Sequence, residues 1–174
     1  MRIGFNGRVL SSAEQTLVLS VFGPTLPAWK GILLDDGLGL HDAPWTDNPM
    51  GNVYTIAIGP VCYPNCTSKK VWTGWGRIDT VFIHEMTHVW QYFHGSYVKL
   101  SSIWAQTLGD GYTVTAGKAW NDYNVEQQAT IVENWYAGGM HLDADEYPYI
   151  EKVVRKNGGA GSSKTLTDLK AWTP

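Results

Sequence analysis

The pentapeptide His84-Glu85-Met86-Thr87-His88 constrains this chain more than any other feature. On an α-helix, residues four apart lie about 40° from one another around the axis, so both imidazoles share one face. That spacing suits two nitrogen ligands about 2.1 Å from one zinc ion. Glu85 lies one step round the helix, where it can reach a metal-activated water without ligating the metal, as a general base must. With five histidines and six glutamates in 174 residues, a random arrangement contains this pattern in roughly half a per cent of cases. The flanking Val81, Phe82, Ile83, Val89 and Trp90 are apolar, as a buried active-site helix requires.

A zinc site of this kind needs a third protein ligand, and the sequence offers several. His94 stands six residues after His88, but a sharp turn there needs glycine where the chain has Gln91. If the helix continues through Gln91, His94 lies about 240° round from His88 and faces away from it. The segment Tyr123-Asn124-Val125-Glu126-Gln127-Gln128-Ala129, running on to Glu133, carries two carboxylates seven residues apart on one helix face. One can be the ligand and the other an outer or surface group. Ala129 lets this helix approach the His84 helix closely, which favours Glu126. Tyr123, Tyr136 and His141 are candidate oxyanion donors, and the residues alone do not rank them.

Elsewhere the patterning predicts alternating helices and short strands. Ser11 and Glu14 are spaced as a capping box, Leu17, Val18, Val21 and Phe22 recur at helical spacing, and Gly23-Pro24 ends the element. A strand is expected over residues 30–34 and another over 52–58, the latter a candidate edge strand for an extended substrate. Residues 60–78 read as a loop, with Asp79 or Thr80 capping the helix that runs to Phe93 and ends at Gly95. Further helices are expected over 98–108, 124–136 and 147–155, with a short strand or hairpin arm over 112–115. Residues 1–156 make one domain, and 157–174 a Gly/Ser-rich linker and tail.

Composition narrows the partners. The formal net charge is −3, so no basic surplus exists for nucleic acid. No apolar run approaches the roughly 20 residues of a membrane span. The stretch from Leu17 to Phe22, preceded by Glu14 and Gln15, is not a secretory signal. Nine Trp and nine Tyr fit an aromatic-rich core and surface, or a groove lined with rings. Cys62 and Cys66 flank a Pro-Asn turn that allows either a disulfide or two free thiols. A structural zinc site there lacks a second pair.

The two motifs, Phe82-Ile83-His84-Glu85-Met86-Thr87-His88-Val89-Trp90-Gln91 and Tyr123 to Ala129, resemble the zinc metallopeptidase-like domains of bacterial secretion effectors. Among these are C-terminal extensions of type VI secretion spike (VgrG) proteins and Rhs-type toxins. More distantly, the chain is similar to gluzincins whose third ligand opens a Glu-x-x-Ala motif. The resemblance spans residues 11–155 and is specific at the two motifs. It implies an α+β, zincin-like fold, a small mixed or antiparallel sheet packed on helices around the active-site helix. It also implies Zn2+ held by His84, His88 and Glu126, with Glu85 as catalytic base. The implied role is an antibacterial toxin that acts on a protein or peptide substrate in a target cell's periplasm, with an immunity protein as partner. An oxidised Cys62–Cys66 pair would accord with that compartment. A peptidoglycan amidase or other amide hydrolase, and a non-catalytic zinc-stabilised binding module, are rival readings of the same residues.

Overall fold

A computed structural model describes residues 7–95 and 111–156. The helix expected over 98–108 and the linker and tail at 157–174 lie outside the described residues. The first helix, α1 (Ser12–Phe22), begins at Ser11 with both halves of the capping box made. Glu14 N–H donates to Ser11 Oγ at 3.3 Å, and Ser11 N–H to Glu14 Oε2 at 2.8 Å. It stops at Gly23, whose φ of 61° is open to glycine at little cost.

Four short strands form one mixed sheet: β1 (Arg8–Val9), β2 (Ile32–Asp35), β3 (Trp45–Asp47) and β4 (Tyr54–Ala57), in spatial order β1-β2-β4-β3. β2 and β4 run parallel, Ile32 opposite Tyr54 and Leu34 opposite Ile56, while β1 and β3 pair antiparallel to their neighbours. Side chains alternate across a strand, so Ile32, Leu34, Tyr54 and Ile56 are buried on one face against the helices. The strand expected over 52–58 is present but is not an edge: β4 lies between β2 and β3, and β3 is the outer strand. A hairpin of β5 (Trp72–Thr73) and β6 (Gly76–Arg77) occupies part of the segment read as loop. Two-residue strands are too short to carry a period. Residues 111–115 are turn and coil rather than a strand.

Helix α2 (Ile78–Phe93) runs through the centre and is buried on nearly every side. Its N-cap is Arg77, without a side-chain cap bond, so neither Asp79 nor Thr80 plays that part. Asp79 is instead fully buried in the first turn. It accepts from Arg77 and, at 2.7 Å, from the hydroxyl of Tyr136. Tyr136 belongs to α3 (Val125–Ala137), which Asn124 opens with a capping box to Gln127 and which packs along α2. The last element, α4, is one α-turn (Tyr147–Tyr149) continuing as a π-helical segment (Ile150–Val154). It docks through Val154, whose carbonyl accepts from Trp90 Nε1 at 3.1 Å. The described residues thus form a mixed α+β domain around one core, and none of their helices is long and apolar enough to cross a membrane.

Cys62 and Cys66 are free, buried thiols rather than a disulfide. The Cys66 thiol points at the Cys62 carbonyl oxygen, 3.2 Å away, and burial pushes the Cys62 thiol up to about 11.

Glu14 does more than cap α1. Its carboxylate is fully buried and takes Arg8 in a two-pronged pair at 2.7 Å on each oxygen, with Cys66 N–H donating at 3.1 Å. One side chain therefore joins β1, α1 and the 62–66 turn. Burial alone would raise its pKa, but Arg8 and the Ser11 and Cys66 amides outweigh that and hold it at about 2. A carboxylate depressed in the folded state stabilises above its unfolded pKa and loses that contribution as pH falls. Glu14→Ala should cost about 3 kcal/mol, because Arg8 and two amides lose their partner. Denaturant midpoints measured against pH should show Glu14→Gln losing part of the wild-type decline between pH 4.5 and 2.

Candidate metal centre

The periodicity of α2 brings His84 and His88 onto the side that meets α3, their ring centroids 5.1 Å apart and nearly perpendicular. Facing them, the first turn of α3 presents Glu126, 3% exposed. Its Oε2 lies 3.2 Å from His84 Nε2 and 3.5 Å from His88 Nε2. His84, Glu85 and His88 also offer ligand atoms within 4.8 Å of one another. Of the two carboxylates, Glu126 is the one whose oxygen faces both Nε2 atoms. The Glu85 Oε2 accepts from the Thr46 hydroxyl at 2.7 Å, which leaves Glu85 beside the cluster.

The outer partners decide which nitrogen of each ring carries the proton. His84 Nδ1 lies 2.9 Å from Glu133 Oε2, an oxygen that only accepts when ionised, so Nδ1 donates. Around His88 the assignment comes from Gln91. The Gln91 amide nitrogen donates to the Val125 carbonyl at 2.8 Å and to Gln128 Oε1 at 2.9 Å. Its Oε1 must therefore be the atom 2.8 Å from His88 Nδ1, which donates to it. In the neutral rings both Nε2 lone pairs then point at a carboxylate. Such an arrangement repels itself unless a cation or a shared proton sits among the three atoms. The donor set, two imidazoles and one carboxylate, is the one zinc takes in open sites, so the residues fit that ion.

Where no cation sits among the three atoms, the electrostatics place the shared proton there. Burial disfavours the charged imidazoles, but the hydrogen bonds to Glu126, and for His84 also to Glu133, outweigh it and raise both histidines. Burial would likewise raise Glu126, yet the two facing rings hold it well below the usual carboxylate range.

The remaining sequence candidates lie elsewhere. His94 ends α2, with Nδ1 donating to the Trp90 carbonyl at 2.8 Å and its ring stacked on Trp90 at 4.2 Å. Helix continuing through Gln91 carried it away from the site, and it is not a third ligand. Glu133 takes the outer role against His84. Among the oxyanion candidates, the Tyr123 hydroxyl donates to the Thr115 carbonyl at 2.6 Å and the Tyr136 hydroxyl to Asp79. His141 is exposed in the loop after α3, its carbonyl accepting from Trp135. None of the three is brought to the histidines. The ring that is brought there is Tyr112, 6.3 Å from His84 between centroids and 44% exposed. Its segment is tied to α3 by Gln127 Nε2 donating to the Thr113 carbonyl at 2.8 Å.

Thr46, Gln91 and Tyr112 were missed as site residues in the sequence. Gln91 carried a readable signal, a lone amide one turn from His88 in an apolar run. Thr46, 39 residues from Glu85, had none.

No protein-family model matches the chain. Over 140 residues, 75% of this chain, the sequence is 34% identical to type VI secretion system spike protein VgrG2b of Pseudomonas aeruginosa. The chain spans 13% of that protein's length. The solved effector domain of Pseudomonas aeruginosa VgrG2b superposes with a TM-score of 0.55 at 29% identity, covering 85% of this chain and 82% of that one. Along most of its length, then, the chain is similar to the effector domain of a type VI secretion spike protein.

Proposed function

We propose that this chain is a type VI secretion effector domain and a zinc-dependent peptidase, with a zincin-like active site formed by α2 and α3. His84, His88 and Glu126 hold the ion, and Glu85 is the general base. The observation that carries the reading is the convergence of both Nε2 atoms on Glu126, 3.2 and 3.5 Å away, with each Nδ1 committed to a separate acceptor. Similarity to the VgrG2b effector domain supports the secreted role, and the target cell's periplasm is the compartment of action.

Bound zinc would supply Lewis acidity, polarising the scissile carbonyl and making a water acidic enough to lose a proton near neutral pH. The chain's own residues handle the rest. Glu85 takes the proton of the attacking water as its oxygen bonds the carbonyl carbon. The same carboxyl then gives that proton to the leaving nitrogen as the carbon–nitrogen bond breaks. Glu133 and Gln91 hold the imidazoles in the tautomer that keeps Nε2 free. Glu85, His88 and Glu126 are 6%, 5% and 3% exposed, which keeps bulk water from the chemistry. The His84 and Tyr112 side is the open approach. Among the described strands β3 pairs only with β4, so an extended peptide can hydrogen-bond along its outer edge.

Metal analysis after dialysis should find His84→Ala and Glu126→Ala without stoichiometric zinc. Glu133→Gln, which perturbs only an outer partner, should bind about 10–100-fold more weakly than the parent. Tight zinc binding by both ligand variants would remove the ligand set. Glu85→Gln should keep the metal and lose about 100- to 10,000-fold in turnover of an internally quenched peptide library. Products released from purified sacculi, with no peptide cleaved, would replace the peptidase reading with an amidase.

A further inference from the structure

Helix geometry places the Glu85 backbone beside the histidines, but three side-chain torsions still separate that backbone from its carboxylate. Thr46, on the outer strand β3, closes that freedom. Its hydroxyl lies 2.7 Å from Glu85 Oε2 and 3.1 Å from the Glu85 carbonyl oxygen. The contact is buried, with Thr46 7% and Glu85 6% exposed, and a buried hydroxyl without a partner would be costly. The donor itself is rigidly held. Thr46 pairs with Ile56 in the register of β3 and β4, and Ile56 is fully buried in the core. A donor on a paired strand therefore meets an acceptor on the central helix.

The geometry points to Thr46 as the positioning residue for the general base, a role that rests on reading Glu85 as that base. By engaging Oε2, the hydroxyl fixes the plane of the carboxylate and leaves Oε1 to take the proton of the attacking water. Its β-branched side chain has few rotamers to lose, and its second acceptor, the Glu85 carbonyl, belongs to the same residue. The shorter distance and the charge of the carboxylate direct the single hydroxyl proton to Oε2. A site built on rigid elements holds a reacting group within the small tolerance that catalysis requires.

Thr46→Val keeps the shape and removes the donor, whereas Thr46→Ser keeps the donor. In the zinc-loaded protein with the quenched-peptide library, Thr46→Val should lower kcat about 10–100-fold. KM and zinc content should stay at parental levels, and Thr46→Ser should recover most of the loss. The second readout needs no turnover. The Glu85 carboxyl-carbon NMR signal of isotopically labelled protein, identified by its absence in Glu85→Gln, should move in Thr46→Val and return in Thr46→Ser. A kcat for Thr46→Val within twofold of the parent overturns the role, as does a loss that Thr46→Ser shares. If the parent cleaves no peptide, the peptidase reading fails. The carboxyl signal then decides the contact alone, and its indifference to Thr46→Val refutes it.

Discussion

Two imidazoles and a carboxylate held nose to nose between packed helices are an unfavourable arrangement unless something positive lies among them. The surface where α2 meets α3 could have been closed with leucine and alanine at lower cost, because buried ionisable groups lose hydration that their mutual attraction only partly returns. Instead Glu126 faces two Nε2 atoms, and the opposite edge of each ring is already occupied by Glu133 or Gln91. The outer contacts remove the alternative in which a ring turns its protonated nitrogen toward Glu126 and settles as a simple neutral hydrogen bond. What remains is a proton shared between each ring and Glu126, or one cation taking the place of those protons.

The rest of the domain keeps those two helices in register. Tyr136 on α3 donates to Asp79 at the start of α2, and Gln91 near its end bonds the Val125 carbonyl and Gln128 on α3. The pair is thus clamped on both sides of the histidines. β3 lies along the same helix and reaches Glu85 through Thr46. Glu14 secures the opposite side of the fold, where β1, α1 and the 62–66 turn meet. On the proposed metal-site reading, misplacing a ligand by an ångström is expensive, and these buried polar bonds hold the two helices in place.

Much of this was legible in the sequence, and the parts that were not share a cause. The start of α1 and the ends of α1, α2 and α3 follow from local signals: Ser11 with Glu14, then Gly23, Gly95 and Gly138. The facing of His84 and His88, and the common face of Glu126 and Glu133, follow from helical spacing. Sheet order did not. Strands of two to four residues carry almost no period, so nothing in residues 52–58 distinguished an inner strand from an edge. The capping assignment failed because Asp79 has the right residue type for a cap but is claimed by Tyr136, 57 positions away. Tyr123 and Tyr136 were plausible oxyanion donors until their hydroxyls found the Thr115 carbonyl and Asp79. Thr46 was invisible for the same reason. Sequence spacing specifies what one helix presents, whereas the contacts between elements depend on how the core stacks them.

The central claim is that the cation is held by nitrogen and oxygen from two helices. X-ray absorption at the zinc edge of the metal-loaded chain tests it most directly. The account predicts a first shell of nitrogen and oxygen alone at about 2.0–2.1 Å, with the outer-shell scattering of two imidazoles. A sulfur shell near 2.3 Å, which would move the ion to Cys62 and Cys66, would contradict it, as would a nitrogen and oxygen shell without imidazole.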